Sequence, residues 1–322
     1  MKQTQAFLST YTADVSGVCS ALFELGGMTV MHDASGCNST YNTHDEPRWY
    51  DMDSLVYISG LSELEAVMGD DEKLISDVSD AARQLHPRFI ALAGTPIPMI
   101  TGCDLPAIAR EVEGRTNIPS FAVPSNGIGT YVAGAGQALR LYAERFITSR
   151  PEKRKNAVNI LGATPLDFSV NGCVQSMARR LEEAGFTLQS VFAMGSSFDS
   201  IDEAGAAEVN LVVSSVGLPA AKYFQAQFGT PYVIGAPFGD FFSPYVFDAL
   251  RASIRTGENT RVFGTCSPDA PDTVIVGESV TAKSLAAALA VGYGIGARVI
   301  CPVEAPGGVL GACDLQLEDE EE

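Results

Sequence analysis

Residues 71–93 read DEKLISDVSDAARQLHPRFIALA, and this stretch decides the fold class. Its first part, Asp71 to His86, carries the apolar spacing of a helix with one buried face. His86-Pro87 makes a turn, and Phe89 to Ala93 follows as an apolar run of strand length. The same alternation recurs on both sides. Strands are predicted at Met28 to His32, Leu55 to Ser59, Ser120 to Val123, Ala157 to Leu161, Leu188 to Ala193, Val209 to Ser214, Tyr232 to Gly235, Thr273 to Gly277 and Arg298 to Pro302. Helical patterns such as Ser169 to Gly185 and Ser279 to Tyr293 lie between them. Strands alternating with helices in this way specify stacked βαβ units with parallel sheets. The basic stretch Ser149-Arg-Pro-Glu-Lys-Arg-Lys-Asn156 marks one domain boundary, and a second is expected near Thr256-Gly-Glu-Asn-Thr-Arg261. The fold expected is α/β, with two Rossmann-like doubly wound parallel-sheet domains, 1–150 and 151–258, and a truncated third βαβ unit at 259–322.

The chain has 322 residues, 46% hydrophobic and 19% charged, ordinary values for a globular protein with a sizeable interior. No apolar run approaches the roughly 20 residues of a membrane span, and the N-terminus lacks the apolar core of a secretory signal. A cytoplasmic protein without membrane association is expected. The net charge of -18 argues against nucleic acid, which needs a surplus of lysine and arginine. Part of that charge lies in Glu318-Asp-Glu-Glu-Glu322, and an acidic surface of this kind can guide a basic partner.

No GxxxxGK[ST] occurs, so the chain carries no P-loop, and there is no GxSxG elbow. Gly292-Tyr-Gly-Ile-Gly296 mimics a dinucleotide fingerprint but precedes a strand, and reads as a helix cap and turn. The seven cysteines show no CxxC and no zinc-finger spacing, and their odd number is poor support for disulfides. Cys19, Cys173, Cys266, Cys301 and Cys313 read as structural. Cys37 differs. It sits in His32-DASGCNSTYNTHDEPRW-Tyr50, a polar stretch with two histidines, several acids and the only tryptophan, directly after the strand Met28 to His32. Such a composition suits a site loop, and Gly36 would let the backbone approach a bulky inorganic group. Cys103 follows the strand Phe89 to Ala93, so it is expected near the same carboxyl edge, where open α/β sheets bind ligands.

Several segments together resemble the component 1 family of nitrogenase-type oxidoreductases, which includes nitrogenase subunits, cofactor-assembly scaffolds and dark-operative protochlorophyllide reductase. His32-Asp-Ala-Ser-Gly-Cys37 corresponds to the family's His-Gly-x-x-Gly-Cys. Leu61-Ser-Glu63 with Gly69-Asp-Asp-Glu-Lys-Leu74 is similar to its Gly-Gly-Glu-x-Leu turn, and Gly94-Thr-Pro-Ile-Pro-Met-Ile-Thr-Gly-Cys-Asp104 to its Thr-Cys segment. Val158-Asn-Ile-Leu-Gly162, Leu181-Glu-Glu-Ala-Gly185, Ala207-Glu-Val-Asn-Leu-Val212 and Phe228-Gly-Thr-Pro-Tyr232 look like its second domain. Thr273 to Ala290 looks like the start of its third.

The resemblance implies low-potential electron transfer to a small-molecule substrate through an iron-sulfur cluster, [4Fe-4S], at a dimer interface. A separate P-loop ATPase reductase with its own cluster would supply the electrons. Of the family's three cluster cysteines, only Cys37 is matched; the first falls near Thr12, with Asp14 close by, and the third on Pro96. The family's cofactor cysteine falls on Ala221, so reduction of dinitrogen is not expected. One cysteine cannot hold such a cluster, whereas a homodimer would double whatever one chain supplies. Cys37, with Cys103 or Asp14, from each chain is therefore the expected ligand set, with Cys103 preferred as the softer donor. His44, Glu46 and Arg48, just beyond that loop, are candidate proton donors or substrate anchors. Two other readings are a cluster or cofactor assembly scaffold, and a cluster-free protein that binds a small ligand.

Overall fold

The computed structural model describes residues 12–34, 36, 41, 46–264 and 273–317. Its chain forms two compact units, one from Tyr11–Tyr142 and Ala193–Phe198, the other including Ala143–Phe192 and Asp199–Glu322. The first unit holds strands β1 (Met28–His32), β2 (Leu55–Ile58), β3 (Ile90–Gly94) and β4 (Ser120–Val123) in the order β2-β1-β3-β4, all parallel. β1 and β3 are buried along their whole length, as central strands of a parallel sheet must be. The helix predicted over Asp71 to His86 forms as Asp71–Leu85. The Asp70 side chain caps its start, and His86 ends it in a left-handed conformation. Its buried stripe, Leu74, Ile75, Val78 and Ala82, packs with β1, β3 and the helix Leu105–Thr116 into one core.

The helices Asp14–Leu22 and Tyr131–Phe146 cross at backbone distance. A Cβ at Gly134 would run into the Asp14 carbonyl, and one at Gly17 into that of Tyr131. This contact fixes the start of the first helix, and with it Asp14.

The second unit holds β5 (Arg154–Leu161), β6 (Thr187–Val191), β7 (Ala207–Val212), β8 (Tyr232–Ile234) and β9 (Thr260–Arg261). They form a parallel sheet in the order β6-β5-β7-β8-β9. Its register is pinned from inside. The Asn159 amide donates to Asn210 Oδ1 at 2.8 Å, and the Ser190 hydroxyl donates to Asn159 Oδ1 at 2.7 Å. A third parallel sheet, β10-β11-β12, joins Thr273–Val276, Ala297–Cys301 and Leu315–Gln316 in the same unit. The helix Ser279–Tyr293 packs on it and ends at Gly294 in a left-handed cap, so the glycine cluster at 292–296 is a helix end and turn. The strands β9 and β12, of two residues each, had no periodic signal to be read from. Cys313 is disulfide-bonded, contrary to what the odd cysteine count suggested.

The small third sheet leans on one buried ion pair. Lys283 Nζ meets Asp314 Oδ2 at 2.6 Å, both side chains 4% exposed or less, and Asp314 also accepts the N–H of Val299 and Gly311. Burial works against the Asp314 carboxylate, yet these bonds hold its pKa below the ordinary carboxylate value.

Lys283→Ala should therefore lose about 3–5 kcal/mol in urea unfolding, because the carboxylate is left buried and unpaired. As the folded pKa is depressed, the Asp314 contribution is present above roughly pH 4 and fades as pH falls through the lower folded value. Asp314→Asn should flatten that acid limb. Gly134→Ala should cost about 1–3 kcal/mol through overpacking against Asp14, read by the same unfolding experiment.

Candidate functional site

In an open parallel sheet the binding crevice lies outside the carboxyl ends of the strands, where the order reverses. That point falls between β1 and β3 in the first sheet and between β5 and β7 in the second. The second crevice is filled by the chain itself. Gly162, at φ 90°, has no room for a side chain: a Cβ would lie 2.6 Å from Gly217 N and 2.8 Å from Ser214 Oγ. Above this turn the buried Glu278 carboxylate accepts the N–H of Ser215, Val280 and Thr281 and the hydroxyl of Ser215. The first crevice carries the chemistry-bearing residues instead.

There the strand ends are stitched by side chains. Thr95, just after β3, donates its hydroxyl to the His32 carbonyl at 2.8 Å. Ser59, just after β2, shares a 2.8 Å hydrogen bond with His32 Nδ1 and accepts the Asp33 N–H at 3.1 Å. The His32 ring lines a small cleft with Ser59, Leu61, Glu65, Asp70, Lys73 and Leu74. Burial lowers its pKa, against the opposing pull of Asp71, Asp33 and Glu65. The loop that carries Cys37 starts from this stitched edge. Cys37 and His44 lie outside the described residues, while Gly36 is described and exposed, with no atom within 4 Å of where a Cβ would be.

Asp14 begins the helix Asp14–Leu22 and is 4% exposed. Its two carboxylate oxygens accept the backbone N–H groups of Asn126 (2.9 Å) and Gly127 (2.7 Å), in the loop after β4. Cys103 lies between the helices Pro96–Thr101 and Leu105–Thr116 and packs against the apolar core. Its thiol donates to Asp71 Oδ1 at 3.7 Å. Burial first, and the Asp71 charge second, push its pKa up to about 12. Both residues thus stand on the carboxyl side of the sheet, each engaged with its own local partner. Among the described residues no group of three or more His, Cys, Asp or Glu side chains could hold a metal ion, so they alone do not assemble the four ligands of a cluster.

Glu46 and Arg48 are brought together. Arg48 Nε donates to Glu46 Oε1 at 2.7 Å and Nη2 to Glu46 Oε2 at 2.8 Å, a fork-to-carboxylate pair. Nη2 also donates to the Ser20 carbonyl, and Nη1 to Glu24 Oε1 (2.7 Å) and the Ala193 carbonyl (2.8 Å). Glu46 further accepts the Ser20 hydroxyl at 2.8 Å and the Tyr41 hydroxyl at 3.3 Å. Glu24 completes the set by accepting the Gly195 N–H at 2.7 Å. Burial would lower the Arg48 pKa, but hydrogen bonds and charge from Glu46 and Glu24 raise it above the ordinary guanidinium value. Burial, with Cys19 and Glu46 nearby, keeps Tyr41 well above a normal phenol. Sequence reasoning missed Ser20, Tyr41, Glu24 and Ala193–Gly195. Of these only Glu24 left a signal, as a lone acid within the apolar run Ala21-Leu-Phe-Glu-Leu25.

The described residues contain no helix long and apolar enough to cross a membrane. Among relatives, NifE of Methanosarcina barkeri, a nitrogenase iron-molybdenum cofactor biosynthesis protein, is 28% identical over 196 residues, 57% of this chain and 42% of its own length. A subunit of the light-independent protochlorophyllide reductase of Prosthecochloris aestuarii is 37% identical over 187 residues, 56% of this chain and 35% of its own. The chain thus spans less than half the length of these curated relatives. The solved structure "Nitrogenase Cp1 at pH 5" matches 99% of this chain and 69% of its own with a TM-score of 0.69 at 17% identity, a likeness of fold. The family model for nitrogenase component 1 type oxidoreductases matches residues 16–253. The chain belongs to that family.

Proposed function

We propose that the protein works as a nitrogenase-like oxidoreductase, with Cys37 from each of two copies holding an iron-sulfur cluster between them. One observation carries this reading. The chain runs toward Cys37 from the switch point of the first sheet, and the described residues on either side are tied down, Asp33 by Ser59 and Tyr41 and Glu46 by Ser20 and Arg48. When bound, the cluster would accept and release single electrons at low potential. Cys103 or Asp14 from each copy would complete the four ligands, and either would give up a present partner to do so, since the Cys103 thiol donates to Asp71 and both Asp14 oxygens accept backbone donors. His44, beside the loop, remains the candidate proton donor toward the small-molecule substrate. Ala221 is buried in the helix Leu218–Phe228 and offers no ligand to a further cofactor, so dinitrogen is not the proposed substrate.

Electrons would come from an ATP-dependent reductase. The helices Glu63–Met68 and Pro96–Thr101 pack together on the same edge of the sheet. They expose Leu64, Val67, Met68, Met99 and Ile100, with Val67 at 77% and Ile100 at 78%. Exposed apolar side chains in such a group suit a protein interface, and the acidic Glu63, Glu65, Asp70 and Glu72 beside them favour a partner with a basic rim. A second reading, a scaffold that assembles a cofactor and passes it on, is favoured by the likeness to NifE.

Anaerobically reconstituted wild type should be coloured and hold about four irons per dimer. Cys37→Ala and Cys103→Ala should each lose them, and iron kept in Cys103→Ala would pass the completing role to Asp14. A colourless, iron-free wild type would overturn the reading and leave a small-ligand-binding protein in its place. Transfer of iron and sulfide to an apo-protein without substrate turnover would select the scaffold. Val67→Asp with Ile100→Asp should slow electron delivery by at least about tenfold while iron content stays unchanged, since a charge is placed in the centre of the contact.

A further inference from the structure

We propose that the outer face of the third sheet is a docking surface for an amphipathic helix of another protein, one whose apolar stripe holds a carboxylate that pairs with Arg298. The sheet belongs to the second unit, so the inference does not rest on a cluster at Cys37. β10 alternates half-buried and exposed residues, unlike the fully buried strands β1 and β3. Ile275 and Val299 pack with Ala282 and Ala286 of the helix Ser279–Tyr293, which covers the inner face. Successive side chains of a strand point to opposite faces. The register sets Val274 beside Arg298, Val276 beside Ile300 and Ile300 beside Leu315, so these five residues share the other face. Val276 is 66% exposed and Val274 51%, so among the described residues this face is bare.

Topology, size and charge choose the occupant. A parallel sheet is normally covered on both faces, and by helices. The dimensions admit one: strands about 4.8 Å apart put β10 and β12 roughly 10 Å from each other, the diameter of a single helix. β11, with five residues, runs about 16 Å, the length of roughly eleven helical residues. Charge is the discriminating feature. The face holds one charged side chain, Arg298, a cation in a chain whose net charge is -18. Arg298 Nε is buried and has no hydrogen-bond partner among the described residues. A buried donor without an acceptor is costly, and a guanidinium binds a carboxylate through two parallel N–H bonds. A helix that laid leucine-like side chains on Val274, Val276 and Leu315 and a Glu or Asp carboxylate on Arg298 would cover the valines and satisfy that donor at once. A lysine in the same place on the helix would bury like charges together, which gives the surface its selectivity.

The test uses the full chain and a fluorescent stapled helix of about twelve residues, with leucines along one stripe and a central glutamate, set against the same helix with lysine in place of the glutamate. Fluorescence anisotropy reads the affinities. The glutamate helix should bind wild type at least about tenfold more tightly than the lysine helix. Arg298→Gln should bring the two within about twofold of each other, and Val276→Asp should abolish binding of both. Val170→Asp, at another exposed valine of the same unit, should change neither. If Val276→Asp does not fold, Val276→Ser is read in its place and should weaken the glutamate helix by about fivefold or more. Failure of the glutamate helix to bind, or equal binding of both helices to wild type, would overturn the proposal. So would a dimer that Val276→Asp dissociates in sedimentation, which makes a second copy the occupant. Binding that arises only when residues 318–322 are deleted would overturn it too, and make the chain's own acidic end the occupant. All of these readouts are taken without metal, so this surface and the cluster reading stand or fall separately.

Discussion

The guanidinium of Arg48 is the constraint on which the rest of the first unit depends. Two carboxylates and one guanidinium are buried together, and their desolvation is offset only while every donor and acceptor is met. The pieces so fixed come from the end of the helix Asp14–Leu22, from the loop after Cys37 and from the turn after residue 192. The helix carries the constraint further. Its nine residues span about 13 Å, and at its other end Asp14 caps the loop after β4 while Gly134 locks the backbone crossing. One ion pair, one rigid helix and one carboxylate cap thus define a frame around the carboxyl edge of the first sheet.

The two larger sheets begin with one strand order, and among the described residues it is the second crevice that the chain itself fills. In the second sheet, Gly162 and Gly217 bring two turns into backbone contact, and Glu278 is spent on the N–H groups of Ser215, Val280 and Thr281. In the first, the residues after β1 are polar and flanked by the hydroxyls of Ser59, bonded to the His32 ring, and Thr95, bonded to the His32 carbonyl. The same topology therefore gives a packed joint in one place and the candidate site in another. The carboxylate in the filled crevice also caps the helix that covers the third sheet, and so ties the start of that helix to the turn at Ser215.

Much of this was legible in the sequence because burial on both faces of a parallel sheet leaves continuous apolar runs. Met28–His32 and Ser120–Val123 match their predicted bounds, and the others shift by one to three residues. What stayed hidden was pairing across long separations. Nothing in the pattern around Arg48 points to Ala193, 145 positions away, and nothing around Cys103 shows that Asp71 receives its thiol. Glu46 and Arg48 read as exposed reactive groups because charged residues in a polar loop usually are. Their burial is a tertiary fact, decided by Glu24 and Ser20 upstream.

The charge balance of this buried group bears on the chemistry proposed. Two carboxylates against one guanidinium leave a net negative charge around Arg48, in a setting where solvent screens little. A redox group there would gain a further negative charge on reduction, so its potential is held low, and a low-potential centre passes electrons on readily but needs a strong donor to fill it. On the reading proposed above, coupling to ATP hydrolysis in a separate protein would meet that need, and the exposed apolar group of Val67 and Ile100 with the acids beside it would give such a donor a place to dock. The buried charge and the proposed partner would then answer one requirement: a centre that is hard to reduce needs its electrons driven in.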